Sequence, residues 1–139
     1  MIITDAGPLI AILCRDDQHH ESCANALHTI SYPLASTWPV YSEAMHLLGL
    51  HLGWHGQDQL WKLVQQGHLV LRDLNDASHV QRMFDLMKRY RNVPMDLGDA
   101  SLIVLAEVMD TTTIFTTDND FLIYRMKNRR SFRPVPLTF

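Results

Sequence analysis

Short apolar runs alternate with longer amphipathic segments along the chain. Four runs, at residues 1–4, 32–35, 68–71 and 112–117, have the length of buried strands, and β-branched residues dominate the first and the last. Between the runs, apolar residues recur at three- and four-residue spacing, which is typical of helices that pack one face on a core. This alternation predicts an α/β fold with one parallel sheet and helices on both of its faces.

Capping and breaking signals mark the ends of the predicted elements. Thr37, ahead of the Trp-Pro pair at 38–39, predicts a helix start, because a hydroxyl can cap the first turn and proline is tolerated there. Gly53 is expected to interrupt that helix. Two prolines in the run at 132–137 predict a last strand at an edge of the sheet, since proline cannot donate a ladder hydrogen bond.

Composition narrows the classes of protein to which the chain can belong. Its 139 residues are 47% apolar and 19% charged, which is enough to bury a core as one domain over residues 1–139. The net charge of −3 excludes a nucleic-acid binder that works by bulk positive charge. No run reaches the ~18 apolar residues of a membrane span, and no signal peptide is expected. Cys14 and Cys23 predict reduced thiols in a cytoplasmic protein.

Acidic residues recur where the predicted strands end. Asp5 ends the first strand, Asp118 follows the last buried strand, and Asp99 lies in the first turn of an apolar helix. In open α/β sheets, ligands bind beyond the carboxyl ends of the strands. Glu43 is a fourth acid, one turn inside the helix that proline starts. Each acid alone could be a helix cap or a turn residue, but their shared position favours one common site.

A cluster of four carboxylates needs protons or cations to neutralise it. Two unit charges about 4 Å apart repel by about 4 kcal/mol at an effective dielectric constant of about 20. All-oxygen ligands favour Mg²⁺ or Mn²⁺ over Zn²⁺. One or two such ions can activate a water molecule and stabilise an in-line attack on a phosphodiester. The acids therefore suggest metal-dependent phosphodiester hydrolysis.

The segments around these acids resemble the four acidic motifs of PIN domains, in order and in spacing, over nearly the whole chain. The matching segments are Thr4-Asp5-Ala6-Gly7-Pro8-Leu9-Ile10, Trp38-Pro39-Val40-Tyr41-Ser42-Glu43-Ala44, Met95-Asp96-Leu97-Gly98-Asp99-Ala100-Ser101-Leu102 and Phe115-Thr116-Thr117-Asp118-Asn119-Asp120-Phe121. Within this family the chain looks most like VapC-type toxins of prokaryotic toxin–antitoxin pairs. The resemblance implies an α/β/α sandwich with a central parallel sheet of about five strands.

The same resemblance implies an activity, a cofactor and partners. It implies a Mg²⁺- or Mn²⁺-dependent endoribonuclease that acts on RNA, forms a homodimer and is the toxin of a type II pair with a cognate antitoxin protein. The matched catalytic acids are Asp5, Glu43, Asp99 and Asp118, of which Asp5, Asp99 and Asp118 would hold the metal. Asp96 and Asp120 lie beside matched positions, so the sequence leaves open whether either shares the ligand role.

Positive charge is concentrated near the end of the chain. The segment after Phe121 carries five cations and no acid. Within it, Arg125, Arg129 and Arg130 are candidate contacts for the phosphates of RNA. A second basic cluster at residues 88–91 is the alternative path for RNA. Either cluster could instead be ordinary solvated surface.

Other interpretations fit the sequence less well. A catalytically silent PIN-like protein that binds RNA or a protein partner is the main alternative, but the intact set of four acids opposes it. A phosphoacceptor receiver domain would need a lysine where the late strand ends, and none stands there. The eight histidines lack a metal-binding spacing. Trp38, Trp54 and Trp61 are expected to be core or dimer contacts rather than base-stacking platforms.

Overall fold

A five-stranded parallel sheet runs through the middle of the computed structural model, which describes residues 1–138. The strands are β1 (Ile3–Thr4), β2 (Leu34–Thr37), β3 (Leu69–Arg72), β4 (Thr113–Phe115) and β5 (Arg133–Pro134). The helices are α1 (Ala6–Leu13), α2 (His20–Ala26), α3 (Trp38–Gln65), α4 (Ala77–Arg89) and α5 (Leu97–Met109). Short 3₁₀ turns lie at Leu27–Thr29, Asn119–Leu122 and Lys127–Arg129.

The strand order creates one point where the direction of the chain reverses. The order is β3-β2-β1-β4-β5, with every pair parallel. The chain moves outward from β1 to β3 and then crosses back to β4 on the other side of β1. Because parallel crossovers are right-handed, the two directions place helices on opposite faces of the sheet. This confirms the predicted α/β/α sandwich, with a crevice between β1 and β4 at the carboxyl ends of the strands.

The central helix α5 is buried along most of its length. Its residues from Ala100 to Ala106 are all buried, as expected from their apolar sequence. The helix packs on β1 and β2 and touches both α3 and α4. Burial on several sides fixes α5 tightly. Its first turn, which carries Asp99, is therefore held at the carboxyl edge of the sheet.

All five strands lie where the sequence predicts them, but β1, β4 and β5 are shorter than the predicted runs at 1–4, 112–117 and 132–137, and β2 and β3 are shifted along the chain. The ladder of β2 begins at Leu34 rather than at residue 32, because Pro33 has no N–H to donate to the neighbouring strand. Strand β3 begins at Leu69, one residue after the start of the predicted run at 68–71. The expected interruption at Gly53 is present as a kink in α3 with φ of 62°. The last strand, β5, lies at the edge as predicted.

The tryptophans do not lie in the core. The exposed fractions of Trp38 and Trp54 are 49% and 68%, so the core half of the sequence expectation was wrong. The reason is that smaller and aliphatic residues of α3, with Tyr41, fill its buried face. Cys14 and Cys23 are free and buried. Within residues 1–138, no helix is long and apolar enough to cross a membrane.

We predict that Gly7→Ala destabilises the fold, because a Cβ at this position would collide with Thr117 Oγ1. Overpacking of this kind costs about 1–3 kcal/mol. Gly49→Ala is the matched control, since its Cβ would meet only the end of the Gln57 side chain and alanine favours a helix. Urea unfolding measures both variants. Equal stability of the two variants would contradict a close approach of α1 to the segment after β4.

Candidate functional site

Three carboxylates meet at the crevice between β1 and β4. Asp5 directly follows β1, Asp118 follows β4, and Asp99 comes from the first turn of α5. One oxygen of each side chain lies within 4.8 Å of the others, in an arrangement that could hold a metal ion. The position is the reversal point of the strand order, where α/β sheets bind ligands. The structure thus brings together three of the four acids predicted from the sequence.

Asp5 is both a helix cap and a member of this cluster. Its Oδ1 accepts a hydrogen bond from the N–H of Ala6 at 2.8 Å, which caps α1. Its Oδ2 accepts one from Thr116 Oγ1 at 3.1 Å. The capping and site interpretations of the sequence are therefore compatible, because one oxygen serves each.

Asp118 is anchored through the same threonine. Its N–H donates to Thr116 Oγ1 at 3.0 Å, and its Oδ1 accepts from the N–H of Asp120 at 2.9 Å at the start of a 3₁₀ turn. Thr116 is buried and joins Asp5 to Asp118 through one hydroxyl. Sequence reasoning missed this residue. Its only signal is a hydroxyl two residues ahead of an acid, which also occurs in ordinary turns.

Asp99 has a buried tyrosine as its partner. The exposed fraction of Asp99 is 8%, and its Oδ2 accepts a hydrogen bond from the Tyr124 hydroxyl at 2.8 Å. The Tyr124 ring is fully buried between Tyr90 and Phe121, both in edge-on contact. This packing fixes the hydroxyl that orients Asp99. Sequence reasoning missed Tyr124, since nothing local links two residues so far apart in the chain.

Burial and mutual repulsion favour the protonated forms of two of these acids. Burial raises the pKa of Asp5 from 3.8 to about 6, against the lowering effect of its hydrogen bonds from Ala6 and Thr116. Burial likewise raises the pKa of Asp99 to about 7, although the hydrogen bond from Tyr124 opposes it. Neighbouring carboxylates add to both shifts. No cationic side chain is among the groups that shift the pKa values of Asp5 and Asp99. A bound proton or a metal cation would neutralise these carboxylates.

The structure gives different positions to the two adjacent acids. Asp96 is exposed and caps α5, where its Oδ1 accepts from the N–H of Asp99 at 2.8 Å. Asp120 lies in the 3₁₀ turn Asn119–Leu122 that Asp118 caps. Among residues 1–138, neither belongs to the group whose oxygens lie within 4.8 Å. Their geometry is that of local structure around the cluster.

Glu43 lies at the rim of the site. It is exposed on α3, and its Oε2 lies 3.8 Å from the position that a Cβ at Gly98 would occupy. Partial desolvation, followed by the charges of Asp96 and Asp118, raises its pKa. The charge of Asp118 thus acts on Glu43, although the Glu43 carboxylate is not among the three whose oxygens lie within 4.8 Å of one another. The absence of a side chain at Gly98 leaves room for this approach.

The three candidate arginines have different surroundings. All lie on a small hairpin in which the N–H of Met126 donates to the carbonyl of Arg130. Arg125 Nη1 is occupied by three backbone carbonyls, and Arg130 forms an ion pair with Asp110 at 2.6 Å. The guanidinium of Arg129 has no partner within residues 1–138. Arg129 is thus the arginine most available to an anion.

The two basic segments face one cleft. This cleft, of about 420 Å³, is lined by Arg82, Arg89, Arg125, Met126, Lys127, Asn128 and Arg129. Arg82 and Arg89 come from α4 and the other residues from the hairpin; Arg82 pairs with Glu107, so Arg89 is the residue of the 88–91 cluster that shares the cleft with the hairpin. The N–H of Lys127 donates to Glu107, which lies eight residues beyond Asp99 on α5. That separation is a rise of about 12 Å from the acidic cluster.

Comparison with known proteins gives similarity of structure but not of sequence. No model of a protein family and no curated protein matches the sequence. VapC20 of Mycobacterium tuberculosis, a sarcin–ricin loop cleaving toxin, has a TM-score of 0.79 at 12% identity, over 86% of this chain and 92% of its own. VapBC2 of Rickettsia felis, bound to a promoter DNA fragment, has a TM-score of 0.66 at 14% identity, over 99% of this chain and 100% of its own.

A third similar structure is a toxin–antitoxin complex from Klebsiella pneumoniae. Its TM-score is 0.64 at 15% identity, over 86% of this chain and 88% of the matched chain. All three share the parallel sheet and its helices with this protein while differing at most positions of the sequence. The chain therefore has the PIN-like α/β/α fold of VapC-type toxins.

Proposed function

We propose that this protein is a Mg²⁺- or Mn²⁺-dependent endoribonuclease and the toxin of a type II toxin–antitoxin pair. The observation that carries the proposal is the meeting of Asp5, Asp99 and Asp118 within 4.8 Å at the reversal point of a VapC-type fold. Carboxylate oxygens are hard ligands that suit Mg²⁺ or Mn²⁺. The M. tuberculosis neighbour is a sarcin–ricin loop cleaving toxin.

The chain's own residues supply the ligands and their orientation. Asp5, Asp99 and Asp118 would hold the ion, which when bound supplies an activated water and charge for a developing oxyanion. Thr116 and Tyr124 fix the carboxylates of Asp5 and Asp99 through hydrogen bonds. In this proposal Glu43 is the fourth catalytic acid and acts from the rim, where it faces the three carboxylates; burial, followed by the charges of Asp96 and Asp118, raises its pKa.

Positive charge near the site would hold the RNA backbone. The acidic cluster repels phosphates, so productive binding needs cations outside it as well as bound metal. Arg125, Arg129 and Arg130 are proposed contacts, and the shared cleft adds Arg89 from α4. Arg129 is expected to contribute most because Arg130 already pairs with Asp110. The phosphate contacts would position the RNA without reading its sequence.

We propose two protein partners for this single-domain chain. One is a cognate antitoxin, since two of the similar structures are toxin–antitoxin or VapBC complexes. The other is a second copy of the chain, since Leu50 and Trp54 leave apolar surface exposed on α3. The free, buried thiols of Cys14 and Cys23 agree with action in the cytoplasm.

Cleavage of single-stranded RNA tests the activity. We predict that Asp99→Asn lowers the cleavage rate by at least about 100-fold, because it removes a ligand charge worth several kcal/mol. Asp96→Asn is the matched control, since asparagine caps a helix about as well as aspartate, and we expect a loss below about tenfold. Gel analysis of labelled RNA with Mn²⁺ measures both rates. An equal loss in both variants would contradict the ligand assignment.

The raised pKa values predict a pH dependence of stability without metal. Since Asp5 and Asp99 have pKa values of about 6 and about 7 in the folded protein, against 3.8 ordinarily, the folded state binds more protons than the unfolded chain. Their contribution to stability is full below pH 3.8 and is lost as pH rises through the folded pKa values. The melting temperature should thus fall between pH 5 and pH 8.

Asp99→Asn isolates this effect. In EDTA at pH 8 we expect Asp99→Asn to melt a few degrees above the wild type, because it removes a charge from the cluster. Millimolar Mn²⁺ should raise the melting temperature of the wild type and not that of the variant. Scanning calorimetry measures both. A variant less stable than the wild type in EDTA at pH 8 would show that the cluster carries no repulsive charge.

The salt dependence of RNA binding tests the basic cleft. In an Asp99→Asn background that prevents cleavage, Arg129→Ala should raise the dissociation constant for single-stranded RNA and reduce the log–log salt slope by about 0.7. Arg89→Ala should do the same because it lines the same cleft. Arg130→Ala is the control and should change the slope less. Unchanged slopes in all three variants would mean that the cleft does not contact the backbone.

A further inference from the structure

A second cleft opens along the same edge of the sheet as the acidic cluster. It has a volume of about 260 Å³ and lies where β2 and β3 end and α3 begins. Its lining residues include Thr37, Trp38, Arg72, Asn75, Met83 and Ser101. Strand β2 is the direct neighbour of β1, which leads into Asp5. The cleft is therefore one strand away from the proposed metal centre.

The first turn of α5 separates the two sites. Ser101 lines the cleft and Asp99 belongs to the cluster; they lie two residues apart on one helix, a rise of about 3 Å along the axis, on sides of the helix about 200° apart. Gly98, on the same turn, presents no side chain. A polymer strand crossing this turn would meet both sites. The cleft is thus placed to hold a unit of the same strand as a reacting phosphate.

One wall of the cleft is an exposed aromatic ring. Trp38 keeps 49% of its surface exposed, and the buried Tyr41 ring supports it edge-on at 5.8 Å. This contact and the helix cap at Thr37 fix the start of α3. The indole ring therefore holds its position before any ligand binds. An exposed, fixed indole at the edge of a small cleft offers a face for stacking a planar ring.

The remaining lining combines apolar contacts with a polar rim. Leu74 and Met83 are apolar, whereas Arg72, Asp73 and Asn75 are exposed and offer both donors and acceptors. Arg72 forms no ion pair in the described part of the chain. The floor is closed, because Thr37 Oγ1 and Ser101 Oγ are buried and bond each other at 2.7 Å. Hydrogen bonds that select a ligand would therefore come from the rim residues.

We propose that this cleft is a nucleobase subsite that takes one unpaired base of the RNA substrate, stacked on Trp38, with its polar edge at Arg72 and Asn75. The proposal rests on the nuclease function above. The volume is slightly below the ~300 Å³ of small-molecule pockets, which suits one ring system rather than a helix of a protein partner. A base held in the cleft would give the enzyme a sequence preference that phosphate contacts cannot supply.

Binding of a short fluorescein-labelled single-stranded RNA of mixed sequence tests the subsite. Anisotropy is measured in EDTA in an Asp99→Asn background, so that no cleavage occurs. Trp38→Ala should raise the dissociation constant about 5- to 100-fold, the usual effect of removing a stacking platform. Trp38→Phe should retain part of the affinity. Phe84→Ala is the matched control, because Phe84 is also an exposed aromatic residue but does not line the cleft, and it should leave the affinity unchanged.

An abasic scan of the same RNA locates the base. Removing the base at one position should weaken binding to the protein with Trp38 by about as much as Trp38→Ala does. The same abasic RNA should lose nothing further on the Trp38→Ala protein, since the two changes remove one contact. If the loss of affinity from the abasic change and the loss from Trp38→Ala add at every position of the RNA, no single base contacts Trp38 and the subsite is overturned.

Other outcomes separate this proposal from those before it. Equal affinity of the Trp38→Ala and Phe84→Ala proteins for RNA overturns the subsite. If Trp38→Ala changes only the sedimentation of the protein, Trp38 is a protein contact and the subsite is likewise overturned. Failure of the wild type to cleave RNA with Mg²⁺ or Mn²⁺ counts against the nuclease function. That failure leaves the base-dependent binding, measured without metal, as a separate result. Circular dichroism of each variant establishes that it is folded.

Discussion

The repulsion among three carboxylates held within 4.8 Å at the end of a parallel sheet is the constraint on which the rest of the structure depends. Burial strengthens this repulsion, since the low dielectric of the protein screens charge poorly. Proteins tolerate such a cluster when a proton or a cation neutralises it. Without metal, the raised pKa values of Asp5 and Asp99 favour neutralisation by protons. With metal, a divalent cation would neutralise the same carboxylates.

The fold meets this constraint by giving each acid a local structural task. Asp5 caps α1, and Asp118 caps the 3₁₀ turn after β4, so their backbone positions are fixed by hydrogen bonds that a neutral side chain could also supply. Asp99 is carried by the buried helix α5 and oriented by Tyr124. The positions of the carboxylates thus come from stable elements, while their shared charge is left uncompensated. The repulsion that destabilises the protein without metal would favour the binding of a cation.

The sequence was sufficient for the parts of the structure that depend on local pattern. The alternation of strands and helices predicted the sandwich, and acids at strand ends predicted which side chains meet. Contacts between distant segments were not predictable. Tyr124 reaches Asp99 only through tertiary packing, and Arg89 joins Arg129 only because α4 and the hairpin border one cleft. The tryptophans were misjudged because periodicity does not tell which face of a half-buried helix is covered.

Soaking crystals of the protein in MnCl₂ at pH 8 and measuring anomalous scattering tests the central claim most directly. We predict one strong anomalous peak between the carboxylates of Asp5, Asp99 and Asp118, at about 2.1 Å from an oxygen of each, with Thr116 and Tyr124 keeping their hydrogen bonds. Crystals of Asp99→Asn should lose the peak. A wild-type map with no peak at the cluster, or with manganese bound only at other acids, would contradict the account.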